Sequence, residues 1–206
     1  METIINEPLL EYGVARFALP GQSQSGAHHL VRCNRNGLLV AAIAGIGHGA
    51  DAADAAKAAA SVLKACADEP IISLVEQCHE KLRPTRGVVL SLASIDLAHG
   101  MMTWLGVGNV QGVLARADGK NGNSKETLLP RAGVVGSRLP PLQATVLPVA
   151  KGDTLFFVTD GVNSDFAENL SVLGNPQRAA DRILERHGIG NDDALVLVTR
   201  LVGIQP

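Results

Sequence analysis

The N-terminal part of the chain passes from alternating to helical hydrophobic patterns. Alternating positions over 11–17 predict a strand, and two apolar runs on either side of the turn 34–37 predict a β-hairpin. The alanine-rich stretch 50–67 contains no Gly or Pro and predicts a helix. A second helix is predicted over 71–82, where apolar residues recur at helical spacing behind Pro70.

The middle of the chain returns to the pattern of strands. Apolar runs predict three strands, at 87–96, 101–107 and 110–117. Residues 118–127 are polar and glycine-containing, which predicts an exposed loop. Residues 128–142 contain three prolines and two glycines, which predicts an irregular segment over the surface.

The C-terminal part predicts three more strands and one helix. The strands are expected at 144–149, 154–159 and 194–202. Asn175 is a good N-cap with Pro176 at the first helical position, and the helix is expected to end at His187, before Gly188. Because the strands are grouped apart from the helices, the pattern favours an α+β fold of packed layers over a parallel βαβ fold.

Composition narrows the classes of protein. A chain of 206 residues with 46% hydrophobic and 18% charged residues is expected to form a single globular domain, 1–206. A net charge of −2 and the lack of a long apolar run predict no nucleic-acid or membrane partner. The acidic N-terminus does not resemble a signal peptide. Cys33, Cys66 and Cys78 have no metal-site spacing, which predicts free thiols and a cytoplasmic location.

Acidic residues at strand ends are the best candidates for chemistry. Asp160 follows an apolar strand, whereas Asp192 and Asp193 precede another. A carboxylate projecting from a rigid strand end suits a site for a hard metal ion. Asp-Gly is also a common turn dipeptide, so a turn explains each acid better than a ligand role when it is considered alone, whereas the acids taken together favour the two explanations about equally.

The segment 45–49, "GIGHG", predicts a tight strand-to-helix corner. It lacks the spacing of the dinucleotide fingerprint and the lysine of a P-loop, so a nucleotide-binding regulator is the weakest of the alternatives. His48 suits either a general acid or base, or a local hydrogen bond within the turn. The corner carries no acid and no nucleophile, which leaves its purpose unexplained by the residues alone.

Six motifs follow one another along the chain: "SGAHHLV", "AAIAGIGHGADA", "VGN", "GVVGS", "DTLFFVTDGV" and "NDDALVLV". Together and in this order, they resemble the motifs of the metal-dependent protein phosphatases of type 2C. The resemblance extends over about 12–202 and is greatest to their short bacterial branch, which includes the feedback phosphatase of the stressosome. It implies a central antiparallel β-sandwich flanked by antiparallel helix pairs, in α-β-β-α layers. It also implies two Mn²⁺ or Mg²⁺ ions and a bridging water that attacks phosphoserine or phosphothreonine.

The resemblance implies roles for individual residues. Asp160 and Asp192 match catalytic, metal-binding aspartates, and Gly45 matches a residue whose carbonyl faces a metal. The residues expected to shape the site are Gly47, His48, Gly49 and Gly161. Relatives often place a phosphate-binding arginine shortly before the first acid, whereas here Arg16 lies well upstream.

Two ligand positions depart from the family pattern. Ala27 and Ala44 stand where the family has aspartates, so the chain is expected to be nearly inactive and to hold one weakly bound ion or none. Deliberate substitution is the favoured explanation, since both losses are to alanine and the flanking motifs are intact. A natural pseudophosphatase is the other explanation.

The resemblance predicts a cytoplasmic serine/threonine phosphoprotein phosphatase of stress-response signalling. Its expected substrates are phosphorylated STAS-domain proteins of a stressosome. The alternative class is a pseudophosphatase that binds the same phosphoproteins without cleaving them.

Overall fold

Two antiparallel β-sheets of five strands each form the centre of the protein. The structure is a computed structural model and describes residues 9–22, 24–118, 125–168, 170 and 174–203. The strands are β1 (Leu10–Phe17), β2 (Ala27–Asn34), β3 (Gly37–Gly45), β4 (Val88–Asp96), β5 (Met101–Val107), β6 (Gln111–Ala115), β7 (Lys125–Leu128), β8 (Thr145–Pro148), β9 (Thr154–Val158) and β10 (Ala194–Leu201). The helices are α1 (Gly49–Ala65), α2 (Ile71–Leu82) and α3 (Pro176–His187), with a short 3₁₀ helix at Ser164–Ala167.

The strand order brings distant parts of the chain together. The first sheet has the order β2-β3-β4-β5-β8, and the second has the order β1-β10-β9-β6-β7. In the second sheet the first and last strands are neighbours, with Leu10 opposite Leu201 and Phe17 opposite Ala194. The α+β sandwich expected from the sequence is confirmed.

Strand β3 is buried on both faces, which explains its unbroken apolar sequence. Leu39, Ala41 and Ile43 pack in a cluster with α1 and α2. Val40 and Ala42 point the other way, into the core between the two sheets. Because both faces are covered, the strand loses the polar alternation that a half-exposed strand would show.

Helices α1 and α2 pack on the outer face of the first sheet as a helical hairpin. The side of α1 toward the sheet is made almost entirely of alanine, with Ala55 and Ala59 fully buried. Small side chains allow the helix backbone to approach the sheet closely. The Cys78 thiol in α2 donates to the Ala59 carbonyl at 3.8 Å, and burial raises the pKa of this thiol to about 12. Cys33, Cys66 and Cys78 are free thiols, as expected.

Helix α3 packs on the outer face of the second sheet. Ala180 and Ile183 pack there against a cluster that includes Ala15 and Val198. Of the expected helix pairs, α1 and α2 form one; among the described residues the other face carries α3 and the short 3₁₀ helix. In its described part, the connection 159–175 between β9 and α3 contains the 3₁₀ helix and no second α-helix.

One predicted loop contains a strand. Residues 125–127 were expected in the exposed loop 118–127, but β7 includes them and pairs with β6 from Ala115↔Lys125 to Gly112↔Leu128. Leu128 alone in this strand is buried, so backbone pairing rather than a hydrophobic pattern stabilises it. The part of that loop at 119–124 lies outside the described residues.

Most other predicted elements are confirmed with small shifts of their ends. The helices at 71–82 and 176–187 begin and end as expected, whereas α1 ends at Ala65. The irregular segment 128–142 is held by backbone bonds between Val88 and Val135 at 2.9 Å in both directions. In the part of the chain that the structure describes, no helix combines the length and apolarity needed to cross a membrane.

The close approach of α1 to the sheet can be tested with Ala59→Leu. Overpacking this fully buried position is expected to lower the free energy of unfolding by about 1–3 kcal/mol in urea denaturation. Ala65→Leu, on the exposed end of the same helix, is the control and is expected to change it by less than about 0.5 kcal/mol. Equal effects of the two changes would contradict the packing described for α1.

Candidate functional site

The start of β2 and the end of β3 form one side of a small cavity of ≈ 140 Å³. Ala27 and Ala44 are directly opposite each other in the antiparallel ladder, and Gly45 N–H donates to the Gly26 carbonyl at 3.0 Å. Ala27 is buried and Ala44 half-buried against the core between the sheets. Both methyl groups therefore lie on the face that looks toward the second sheet.

The second sheet contributes the acids. Asp160 follows β9 and Asp192 precedes β10, and these two strands are antiparallel neighbours, so both acids lie at the same sheet end. Thr159 strengthens this junction: its N–H donates to the Leu195 carbonyl at 3.1 Å, and its hydroxyl accepts from Leu195 N–H at 2.9 Å. Asp160 and Asp192 line the same cavity as Ala27 and Ala44.

The glycine corner between β3 and α1 forms the rim of the cavity. A Cβ on Gly45 would overlap the carbonyl oxygen of Ala52, so glycine is required where α1 crosses the strand end. Gly47 adopts a φ of +89°, which favours glycine. His48, the N-cap of α1, is exposed and its Nδ1 lies 3.3 Å from Gln22 Nε2. The corner is thus built for close packing and a turn, as the sequence predicted.

Two predicted site-shaping glycines lie beside the cavity rather than in its lining. Gly49 is the first residue of α1. Gly161 follows Asp160, and a Cβ there would lie 2.5 Å from the Asp193 carbonyl oxygen. Both glycines therefore affect the course of the backbone around the cavity and contribute no group to its lining.

Asp193 joins the two sheets at this end, a role that the sequence analysis did not assign to it. This buried carboxylate accepts from Gly26 N–H at 2.5 Å and from Leu19 N–H at 2.9 Å. Gly26 immediately precedes Ala27, so Asp193 holds the start of β2 in place. The Asp-Asp pair before an apolar strand was a signal for an acidic site, but two carboxylates in sequence do not reveal which one turns inward.

Asn109 is a second site residue that the sequence analysis did not assign. It lies between β5 and β6, and its Nδ2 donates to Asp160 Oδ2 at 2.8 Å. This bond orients the exposed Asp160 carboxylate from one side of the cavity. The motif "VGN" was the only sequence signal for it, and only folding brings residues 109 and 160 together.

The donor set does not fit a two-ion centre. Asp160 and Asp192 supply two carboxylates, Asp193 is occupied by two backbone N–H groups, and positions 27 and 44 carry methyl groups. Among the described residues, no group of three or more His, Cys, Asp or Glu side chains is arranged to hold a metal ion. Two divalent ions carry four positive charges, whereas the three carboxylates that line the cavity carry at most three negative charges, and one of them, Asp193, already accepts two backbone N–H groups.

Arg16, the arginine to compare with the family pattern of phosphate binding, lies outside the cavity lining. Its guanidinium donates to Nδ1 of His29, at the edge where β1 and β2 face each other. Burial, followed by the charge of Arg16 and by His28, lowers the pKa of His29 to about 4. His29 is therefore neutral at neutral pH and serves as an acceptor for Arg16.

Comparison with known proteins gives consistent results. The family described as "Stage II sporulation protein E (SpoIIE)" matches residues 35–202. Phosphoserine phosphatase RsbX of Bacillus subtilis (strain 168) is 24% identical over 143 residues, which are 69% of this chain and 70% of that protein.

Solved structures of similar shape include two that cover nearly the whole chain. A chain from the bacterial stressosome, described as a modular system adapted to control secondary messenger signaling, is 27% identical with a TM-score of 0.83, covering 93% of this chain and 99% of that chain. RsbX in complex with magnesium is 21% identical with a TM-score of 0.82, covering 93% of this chain and 95% of that chain. The likeness to the RsbX structure shows a shared fold.

Asp193→Ala is expected to destabilise the protein, since it leaves the N–H groups of Leu19 and Gly26 without their acceptor. The free energy of unfolding should fall by about 3 kcal/mol in urea denaturation. Asp192→Ala is the control: among the described residues this half-buried side chain accepts only the N–H of Asp193, at 2.8 Å, and a loss of about 1 kcal/mol is expected. A larger loss for Asp192→Ala would contradict the assignment of Asp193 as the residue that joins the sheets.

His29 is expected to make stability fall at acidic pH. Its pKa of about 4 in the folded protein lies below the ordinary value of 6.5, so the unfolded chain binds more protons between these pH values. The free energy of unfolding should therefore fall as pH decreases from 6.5 to 4. His29→Gln, which keeps an acceptor for Arg16, should flatten this part of the profile. Parallel profiles for the two proteins, measured by urea denaturation, would contradict it.

Proposed function

Since the chain belongs to the stage II sporulation protein E (SpoIIE) family of PP2C-type phosphatases, we propose that it is a serine/threonine phosphoprotein phosphatase domain of stressosome-type signalling whose hydrolysis is disabled by Ala27 and Ala44. The whole chain, 1–206, acts as this one domain. Its partners are phosphorylated STAS-domain proteins, and its place of action is the cytoplasm. The relatedness to the phosphoserine phosphatase RsbX and the likeness to a stressosome chain support this assignment.

One observation carries the proposal: Ala27 and Ala44 face each other at the mouth of a cavity whose other wall holds Asp160 and Asp192. Four side chains converge there from two different sheets, and two of them are carboxylates. In an antiparallel pair, directly opposite Cβ atoms lie roughly 5 Å apart. Aspartates at both alanine positions would complete a cluster of four carboxylates suited to divalent cations.

The surrounding architecture supports a disabled enzyme rather than an unrelated pocket. Asp193 holds the start of β2, and Asn109 orients Asp160. The glycine corner still fits against α1. These contacts give the cavity the shape of a metal centre. The methyl groups of Ala27 and Ala44 leave it without two of the negative charges that would hold divalent ions. The magnesium complex of RsbX supports a divalent metal ion as the group that aspartates at positions 27 and 44 would help to hold.

The second candidate function is a phosphoprotein-binding module without catalysis. The observation that favours it is that a cavity of ≈ 140 Å³ is present beside the two alanines. A domain that keeps this fold without the full ligand set suits binding of the phosphoprotein partner without cleavage. In this case the alanines belong to the natural function of the chain.

Restoring both ligands distinguishes the two functions. Ala27→Asp together with Ala44→Asp is expected to lower the melting temperature in EDTA, because two new carboxylates repel each other beside Asp160 and Asp192. Mn²⁺ should then raise the melting temperature of this variant by several degrees and have little effect on the original chain. Hydrolysis of a phosphoserine peptide should appear only in the restored variant with Mn²⁺, at least ~100-fold above the original chain.

A matched control distinguishes the effect of placing the two carboxylates at positions 27 and 44 from the effect of adding two negative charges anywhere. Ala132→Asp with Ala150→Asp adds the same two charges at exposed positions and is expected to gain neither Mn²⁺ stabilisation nor activity. If the restored variant binds Mn²⁺ but remains inert, and the original chain binds a phosphopeptide, the binding module is the function. Activity in the original chain would show that positions 27 and 44 are not ligand positions.

A further inference from the structure

A second cavity, of ≈ 340 Å³, lies on the opposite face of the second sheet, beside α3. Its floor is apolar, with Phe156 of β9, Phe166 of the 3₁₀ helix and Ile183 of α3. All three of these floor residues are buried. Its rim is polar and cationic, and it is separate from the cavity that holds Asp160 and Asp192. The combination of an apolar floor with convergent charged groups is typical of a binding site.

The rim is formed by Arg178, Arg182 and Arg186, here called the arginine row. These residues are spaced four apart along α3, so their side chains lie on one side of the helix, about 6 Å from one to the next. All three are exposed. In the described part of the chain, none of these guanidinium groups makes an ion pair or a side-chain hydrogen bond.

The charges of the arginine row do not favour the helix that carries them. Like charges at i,i+4 destabilise a helix by about 0.2–0.5 kcal/mol per pair. Acids are available on the same helix, but Asp181 accepts from Gln177 Nε2 at 2.8 Å, and Glu185 forms no ion pair with the row within the described residues. His187, at the end of the row, is held by Asp165 at 2.7 Å. Three unpaired guanidinium groups over an apolar floor are therefore available to an anionic ligand.

The cavity is linked to the candidate site through the backbone that follows α3. Asn163 N–H donates to the His187 carbonyl at 2.8 Å, and Ile189 N–H donates to the Gly161 carbonyl at 2.9 Å. These bonds join the end of α3 to the segment that directly follows Asp160. The chain then continues from Ile189 to Asp192 within three residues. The end of α3 is therefore fixed relative to the segment that follows Asp160.

We propose that the arginine row is a docking site for an acidic segment of the phosphoprotein partner, flanking the residue that enters the candidate site. Only one part of this inference, the entry of a phosphorylated residue into the candidate site, rests on the proposed function. Recognition of the acidic segment is argued from the α3 cavity independently. Guanidinium groups form charge-assisted, bidentate hydrogen bonds with carboxylates, which suits this choice of partner.

The spacing of the row supports an extended acidic segment. In an extended chain every second side chain points the same way, at intervals of roughly 6.6 Å. Carboxylates at alternate positions would therefore match the ~6 Å steps of the arginine row. A single small anion would satisfy only one or two of the three arginines.

The test uses the full chain and three fluorescent peptides, measured by anisotropy. One peptide carries phosphoserine with glutamate at alternate flanking positions, the second has the same flanks with serine, and the third has phosphoserine with glutamine flanks. The variant Arg178→Gln, Arg182→Gln, Arg186→Gln is expected to bind both acidic peptides about 10-fold more weakly than the original chain. Its affinity for the glutamine-flanked phosphopeptide should be unchanged, and added salt should weaken the acidic peptides most.

The control removes the same charge elsewhere. Arg32→Gln, Arg35→Gln, Arg83→Gln changes three exposed arginines that do not line either cavity, and it should bind all peptides as the original chain does. Should the triple variant of the row melt early, Arg182→Glu alone tests the same point, with a loss of about 5-fold expected for the acidic peptides.

The outcomes separate the docking site from the proposed function. If the acidic serine peptide binds through the row while phosphoserine adds nothing, docking stands and the proposed function fails. If the glutamine-flanked phosphopeptide binds as well as the acidic one, the proposed function stands and docking is overturned. Equal losses in the row variant and in the control also overturn docking, as does row-dependent binding of pyrophosphate or of phosphatidylglycerol vesicles without binding of the acidic peptides.

Discussion

The packing of the two sheets against each other is the constraint on which the rest of the structure depends. Val40 and Ala42 of β3 contact this core from one side, and Phe157 and Leu197 contact it from the other. Covering the outer faces with α1, α2 and α3 then buries both sides of the central strands. The ends of β2, β3, β9 and β10 consequently meet at one place, and no single segment of the chain could form that cavity.

A small number of polar contacts converts this packing into a site of defined shape. Asp193 links the end of the second sheet to Gly26, and Gly26 in turn accepts from Gly45. The position of Ala27 opposite Ala44 therefore depends on a carboxylate 166 residues away in sequence from Ala27 (193 minus 27). Asn109 performs a similar role for Asp160. Such buried or oriented polar groups tolerate little change, because a lost partner leaves the other group unsatisfied.

Charge is distributed unevenly over this scaffold, and this bears on function. At the candidate site Asp160 and Asp192 line a cavity that Ala27 and Ala44 also line, so its acidic side chains come from the second sheet. On the face of α3 the arginine row concentrates three cations in a chain whose net charge is only −2. A net charge describes the chain as a whole and does not reveal a local cluster of cations. The two regions are joined by short backbone bonds at the end of α3.

The sequence by itself determined the element types, the layered fold class and the candidate acids, since hydrophobic periodicity, helix caps and glycine turns are local properties. The helices at 71–82 and 176–187 show this most clearly. The tertiary structure decided which acid turns inward, which amide contacts Asp160, and that polar residues 125–127 form a strand. Each of these depends on a partner distant in sequence, so no local pattern encodes it. The meeting of Ala27, Ala44, Asp160 and Asp192 was expected from resemblance, but only sheet packing supplies the physical reason for it.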